Sequence, residues 1–371
     1  MTTVVFAPDS FKGSASAAEV ANALCLGWRD VRPYDTLVAL PMADGGEGTV
    51  DAISAALPTA VRRSATVTGP DGRPAVAAWL RIEQHGVATA IVELASASGL
   101  TLLKRPEPLT AHTIGLGQVM RAAIESGVDR LMVGLGGSAS TDVGLGALVG
   151  LGARLLDGAG REVPPGNGTL DKIASVDWHG AFGPPRGGAV VMSDVRTPLL
   201  GPAGAVAVFG AQKGIPASGA AAAEARVARA AALISRTRGG NPSADGAGAA
   251  GGAGFGLVAW GATIVGGAQE VGRMIGLEAA CATADVVVTG EGRYDGQSRH
   301  GKVPHHVLEI ASARGLPTLL VAGDIRASPR EFAASASLAD LAGGLSAAMA
   351  EPTRWLREAG RALAHATPAA A

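Results

Sequence analysis

The chain has 371 residues, 47% of them apolar, which is long and apolar enough for two packed domains. A net charge of -1 and a pI near 6.7, with no arginine stripe, exclude the basic field that nucleic-acid binding requires. Two cysteines, Cys25 and Cys281, exclude a disulfide framework and a zinc site, and no apolar run reaches membrane-spanning length, so a cytoplasmic chain without membrane or nucleic-acid partners is expected.

In chain order, Val4-Val5-Phe6-Ala7 reads as a buried strand. The loop Pro8 to Ser14 follows, and then a helix with Val20, Leu24 and Trp28 on one face, opened by a Ser16/Glu19 capping box. Asp9, Ser10 and Lys12 therefore sit at a strand's carboxyl end, where open α/β sheets bind ligands. Leu37, Val38 and Leu40 make a second short buried strand, and the loop Asp44-Gly45-Gly46-Glu47-Gly48-Thr49 leads from it into a helix with Val50, Ile53 and Leu57. Its glycines let backbone amides approach a small anion, and Asp44 and Glu47 suit Mg²⁺ or a proton from a hydroxyl. A tight turn before an acidic first helical turn is the competing reading.

From Ala65 to Leu103 the pattern becomes hairpins, turned at Gly69-Pro70-Asp71-Gly72 and His85-Gly86, which puts a domain boundary near residue 64. A helix with Leu116, Met120 and Ala123 follows, then the strand Leu131-Met132-Val133. It runs into Gly134-Leu135-Gly136-Gly137-Ser138-Ala139-Ser140-Thr141-Asp142 and a helix through Val143, Ala147, Leu151 and Leu155. Strand, Gly/Ser loop and helix amino terminus together suit nucleotide phosphates. Val190-Val191-Met192 delivers Asp194 at another strand end, and Lys213 lies in Gln212-Lys213-Gly214. Lysine is scarce in this chain, with five in all, and Lys12, Lys213 and Lys302 stand beside glycines, where a compact point charge suits a transferring phosphoryl group. The glycine-rich run 246–256 reads as a packed loop–helix junction. Asp285-Val286-Val287-Val288 is a strand that ends at Glu291, Arg293, Asp295 and Lys302, and strand–helix alternation then resumes, with a strand-like Leu338 to Leu341. The expected architecture is α/β: a Rossmann-like parallel-sheet domain from residues 1–64 and 283–371, with 65–282 inserted as a second α/β domain and the site in the cleft between them.

The motifs APDSFKGSASA from Ala7, PMADGGEGT from Pro41, GLGGSASTD from Gly134, SDVRTPLLGPAGAVAVFGAQKG from Ser193, GAGAAGG from Gly246 and TGEGRYDGQSRHGK from Thr289 resemble the bacterial type I glycerate kinases along nearly the whole chain. The resemblance implies phosphorylation of D-glycerate by ATP with Mg²⁺, typically giving 2-phosphoglycerate. Thr197 stands where that family usually has Asn, Ala211 where it has Pro, and Ala111 to Gly117 departs from its TTSYGTG stretch.

Phosphoryl transfer is mainly positioning and electrostatics, and each part has a candidate. Gly136, Gly137, Ser138, Ser140 and Thr141 are expected to hold the ATP phosphates, and Lys12 and Lys213 to neutralise charge. Asp194 is the expected base, with Asp44 and Glu47 as the rival base or metal ligands. Asp9, Ser10, Glu47, Arg293 and Lys302 are expected on the substrate, and Asp44, Glu47, Glu291 and Asp295 on Mg²⁺. Whether the chain is a monomer or a homodimer is left open. A nucleotide-linked oxidoreductase lacks its G-x-G-x-x-G with a downstream acid, and a non-catalytic sugar-acid sensor remains the third reading.

Overall fold

The computed structural model describes residues 1–296, 298 and 302–367; Gln297, Arg299, His300 and Gly301 of the last motif lie outside them, as do residues 368–371. The chain divides into two compact units, residues 1–44, 51–58 and 266–371 in the first, and 45–50 and 59–265 in the second. The strands are β1 (Thr3–Pro8), β2 (Thr36–Ala39), β3 (Val61–Thr68), β4 (Pro74–Gln84), β5 (Val87–Glu93), β6 (Arg130–Gly134) and β7 (Arg154–Leu156). They continue with β8 (Ser175–Asp177), β9 (Ala189–Met192), β10 (Thr263–Val265), β11 (Val286–Tyr294), β12 (Thr318–Ile325) and β13 (Ala334–Ser337).

The first unit is built on a parallel sheet in the order β13-β12-β11-β1-β2, so both chain ends contribute to one Rossmann-like sheet. Val4 pairs with Val286 and with Leu37, across 282 and 33 residues of sequence. The β1 and β11 side chains Val4, Phe6, Val286 and Val288 are buried in one cluster with Val20, Leu24 and Trp28 of the helix Ala17–Val31. Phe6 meets Trp28 edge to face, with ring centroids 5.8 Å apart. The capping box is formed: the Glu19 amide donates to the Ser16 hydroxyl, and the Ser16 amide to the Glu19 carboxylate at 2.8 Å.

The second unit carries a mixed sheet, β10-β9-β6-β5-β4-β3, antiparallel from β3 to β5 and parallel from β5 to β10. The β4–β5 turn places His85 and Gly86 at φ +52° and +77°, the left-handed pair that a two-residue hairpin with native twist requires.

Four expectations change. The unit boundaries fall at 59 and 266 rather than 65 and 283, because β3 bonds to β4 and joins the second sheet, while the helices Gly267–Ile275 and Leu277–Cys281 belong to the first unit. The stretch Leu338–Ala342 is a helix, whose Ser337 hydroxyl accepts from the Asp340 amide; the strand is Ala334–Ser337 just before it. The helix through Val143 and Leu155 is shorter, Leu145–Gly150, since Leu155 is in β7 and Val143 takes φ +59°. Strand β2 is half exposed rather than buried because it lies at the sheet's edge.

Candidate active site

In the first unit the order of the sheet reverses beside β1. The chain passes from β1 to β2 on one side and from β11 to β12 and β13 on the other, so the carboxyl ends of β1 and β11 form a topological switch point. A cavity of about 370 Å³ lies there, lined by Asp9, Ser10, Lys12 and Asp44, and by Glu291, Arg293 and Lys302. Its position follows from the backbone: the Asp9 amide donates to the Gly290 carbonyl at 2.8 Å, and the loop then closes tightly, with Phe11 bridging Ala15 around Gly13 at φ +80°.

Charge in this cavity is nearly balanced. The Lys12 ammonium stands 4.0 Å from the Asp44 carboxylate, and Lys302 stands 4.0 Å from Glu291. Burial, and then the Asp44 carboxylate, push Asp9 up to about 8. Burial also raises Glu291, against the hydroxyl of Ser298 and the Lys302 ammonium. Asp295 lies 3.7 Å from Arg293 as an ion pair, and its amide donates to the Ser298 hydroxyl. Asp324 and Arg326, at the end of β12, line the same cavity and carry no signal in the sequence beyond their strand end.

The second unit holds the glycine loop after β6. A cavity of about 260 Å³ is lined by Gly136, Gly137, Ser138, Ser193 and Lys213. Lys213 ends a short 3-10 turn, Ala211–Lys213, and reaches inward, where its ammonium donates to the Ser138 hydroxyl and the Ser140 carbonyl, both at 2.6 Å. Burial pushes the ammonium down to about 7, while Asp142 pulls it upward. Asp194, on the loop after β9, is half buried between Ser193 and Val195, which both line this cavity.

Two of the expected phosphate ligands are enclosed by the fold. The Ser140 hydroxyl donates to Asp142 at 3.2 Å, and Ser140 and Thr141 are fully and almost fully buried. Asp142 is the hub of the loop, buried and accepting from the Thr113 amide and hydroxyl, each at 2.8 Å, and from the Gly144 and Gly146 amides at 3.2 and 3.1 Å. These bonds support the left-handed Val143, whose amide donates to Gly251. The glycine run is the packed junction expected of it: a Cβ on Gly251 would overlap the Ser140 carbonyl, and one on Gly252 would lie 2.8 Å from Leu199.

The segment Gly45 to Val50 belongs to this second unit, and its glycines serve close packing. A Cβ on Gly45 would stand 2.7 Å from the Met192 carbonyl, and one on Gly136 would overlap Gly46. Glu93 accepts from the Gly48 amide at 2.9 Å and the Val50 amide at 3.1 Å, so a protein carboxylate already holds the start of the helix Thr49–Ala56. Those two amides are therefore engaged, by a carboxylate 45 and 43 residues away that no local sequence pattern marks. Glu47 is exposed beside Gly137.

Among the described residues no group of three or more His, Cys, Asp and Glu side chains is placed to hold a metal ion, so the four expected carboxylates do not form a ready-made cage. A carboxylate or two completed by phosphate oxygens is the mode of binding Mg²⁺ favours, and Asp44 and Glu291 in one cavity fit it. The glycine backbone and buried Lys213 of the second unit fit an anionic phosphate chain.

The profile described as Glycerate kinase family matches residues 4–367. A glycerate kinase of Bacillus subtilis (strain 168) is 40% identical over 327 residues, covering 87% of this chain and 85% of that protein. A glycerate 2-kinase of Escherichia coli (strain K12) is 39% identical over the same shares. A crystal structure from Salmonella typhimurium LT2 that carries a glycerate kinase 2 assignment matches with a TM-score of 0.83 at 36% identity, covering 98% of this chain and 97% of its own. The chain belongs to the glycerate kinase family of ATP-dependent kinases.

Proposed function

We propose that this chain transfers the γ-phosphoryl group of Mg-ATP to D-glycerate and gives 2-phosphoglycerate. The observation that carries the reading is the pairing of chemistries: one cavity rich in carboxylates and cations suits a small hydroxy acid, and another made of glycine backbone and a buried lysine suits a phosphate chain. Glycerate's carboxylate is taken by Lys12, Arg293 and Lys302, and its hydroxyls face Asp9, Ser10 and Asp44. The nucleotide phosphates lie on Gly136, Gly137 and Ser138, with Lys213 neutralising charge that builds as the phosphoryl group moves.

Asp44 and Glu291 would hold Mg²⁺, which would supply charge neutralisation at the phosphates. Asp194 takes the proton of the attacking hydroxyl, with Asp44 the competing acceptor. Transfer requires donor and acceptor to meet, so this reading demands that the two cavities serve one reaction during turnover, and water exclusion at that moment protects the phosphoryl group. Among the described residues no helix is long and apolar enough to cross a membrane, and Cys25 and Cys281 are free thiols, which supports a reducing, cytoplasmic setting.

The test mixes protein, Mg-ATP and D-glycerate and follows ADP together with the phosphorus NMR spectrum of the product. A 2-phosphoglycerate resonance that appears with ADP supports the reading; a 3-phosphoglycerate resonance moves the transfer to the other hydroxyl. Absence of glycerate-dependent ADP release rejects it.

A further inference from the structure

The cavity of the first unit is lined by side chains of two chemistries. Besides the carboxylates and cations already described, Leu338, Leu345, Ala348 and Met349 supply an aliphatic wall. Leu338 and Ala348 are buried, but Leu345 and Met349 are 44% and 51% exposed while lining the cavity. The wall is built by a sharp turn, Gly343 and Gly344 at φ +75° and +156°, that swings the helix Leu345–Ala350 back over the cavity after the helix Leu338–Ala342.

Glycerate has no use for such a wall, because each of its three carbons bears oxygen. It also leaves space. Its seven non-hydrogen atoms take at most about 210 Å³ at roughly 30 Å³ each, the share of one water molecule in the liquid. The cavity measures about 370 Å³. Ligand sites typically combine an apolar lining with a few placed polar groups, and this one does so with its apolar part uncovered by the small acceptor.

Resting on the reading that this cavity holds the acceptor, we propose that the enzyme also phosphorylates 2,3-dihydroxy acids that carry a short hydrocarbon tail on C3, with the tail against Leu345 and Met349. The carboxylate and the two hydroxyls keep the contacts glycerate makes, and the tail runs along the aliphatic wall. The acceptor oxygen forms the new O–P bond while the bond from the γ-phosphorus to the bridging oxygen breaks. The hydroxyl proton passes to a carboxylate, and ADP leaves with the electron pair. A purine base is the rival occupant of the wall. Four carboxylates, Asp9, Asp44, Glu291 and Asp324, line the same cavity, and they suit hydroxyl donors better than a triphosphate.

The experiment compares kcat/KM for D-glycerate, 2,3-dihydroxybutanoate and 2,3-dihydroxypentanoate in the wild type and in Met349→Glu and Leu345→Ser. Both changes are at half-exposed positions, so circular dichroism suffices to check folding. Both longer acids should yield ADP and a phosphomonoester resonance. Either variant should lower the ratio of longer acid to glycerate by about tenfold or more, the scale on which an apolar pocket discriminates one methylene. Turnover of glycerate with none of either longer acid overturns the inference and leaves the glycerate reading intact. A variant that raises the KM for ATP and leaves the acceptor ratio unchanged overturns it too, and gives the wall to the base. Turnover of the longer acids without glycerate removes the glycerate reading and keeps the inference, and turnover of no acid removes both.

Discussion

The Lys213 ammonium donates to the Ser138 hydroxyl at 2.6 Å from a fully enclosed position, which makes it a fixed positive charge behind the glycine loop rather than a mobile surface cation. A donor held in place before the reaction costs no reorganisation when charge develops. Lys213→Met should lower kcat/KM for ATP by about 10² to 10³, the usual loss on removing one such donor. Retention of near wild-type kcat/KM, with unchanged thermal stability, would take Lys213 out of the site.

The same burial makes activity depend on pH. Lys213 sits at about 7 in the folded chain against an ordinary 10.5, so between those values the unfolded chain holds more protons and stability rises with pH. Catalysis needs the opposite state, the ammonium, and kcat/KM for ATP should therefore fall as pH rises past about 7. The descending limb should vanish in Lys213→Met. A limb that persists there belongs to another group.

Asp142 is predicted to govern stability and loop shape together. Its carboxylate accepts five hydrogen bonds in a buried site, from Thr113, Ser140, Gly144 and Gly146. Asp142→Asn turns an amide toward donors that need an acceptor, at a cost of about 3 kcal/mol or more. Thermal unfolding several degrees lower is expected, with ATP KM raised more than glycerate KM.

Gly251 should tolerate no side chain. It takes φ +67°, and an added Cβ would overlap the Ser140 carbonyl and stand 2.9 Å from the Lys213 ammonium. Gly13 has φ +80° with nothing within 4 Å of the added carbon, which isolates the backbone term. Gly251→Ala should destabilise by clearly more than Gly13→Ala, whose strain alone costs about 1 kcal/mol. Equal unfolding midpoints would show that the glycine run has room the packing denies.

The identity of the base separates two variants. Asp194→Asn should keep ATP binding and cut kcat by about 10² to 10⁴. Asp44→Asn should instead raise the Mg²⁺ or glycerate requirement, with part of the rate restored by excess of either. Near-normal kcat in the first, with a loss in the second that neither ligand rescues, reverses the roles.

Much of the first unit was legible because its signals are local. The apolar run Val4 to Ala7, the Ser16/Glu19 cap and the 3.6-residue spacing of Val20, Leu24 and Trp28 depend on neighbours a turn or a strand away, and the structure forms each as read. The edge position of β2 and the helix at Leu338 were not legible, since exposure is decided by sheet order and the Ser337 cap competes with a short apolar pattern that fits either element.

By itself the sequence determined that glycine-bearing loops follow strands and carry Asp9, Lys12 and Asp44, because turn chemistry and strand patterning are written in adjacent residues. Only the tertiary structure decided which of those side chains face a cavity. Ser140 and Thr141 are enclosed, Lys213 is stripped of water, and Glu93 and Asp142 hold loops from 43 and 29 residues away. The physical reason is that burial and hydrogen-bond pairing belong to contacts between distant segments, and these set a carboxylate's or a lysine's charge more strongly than its neighbours along the chain do.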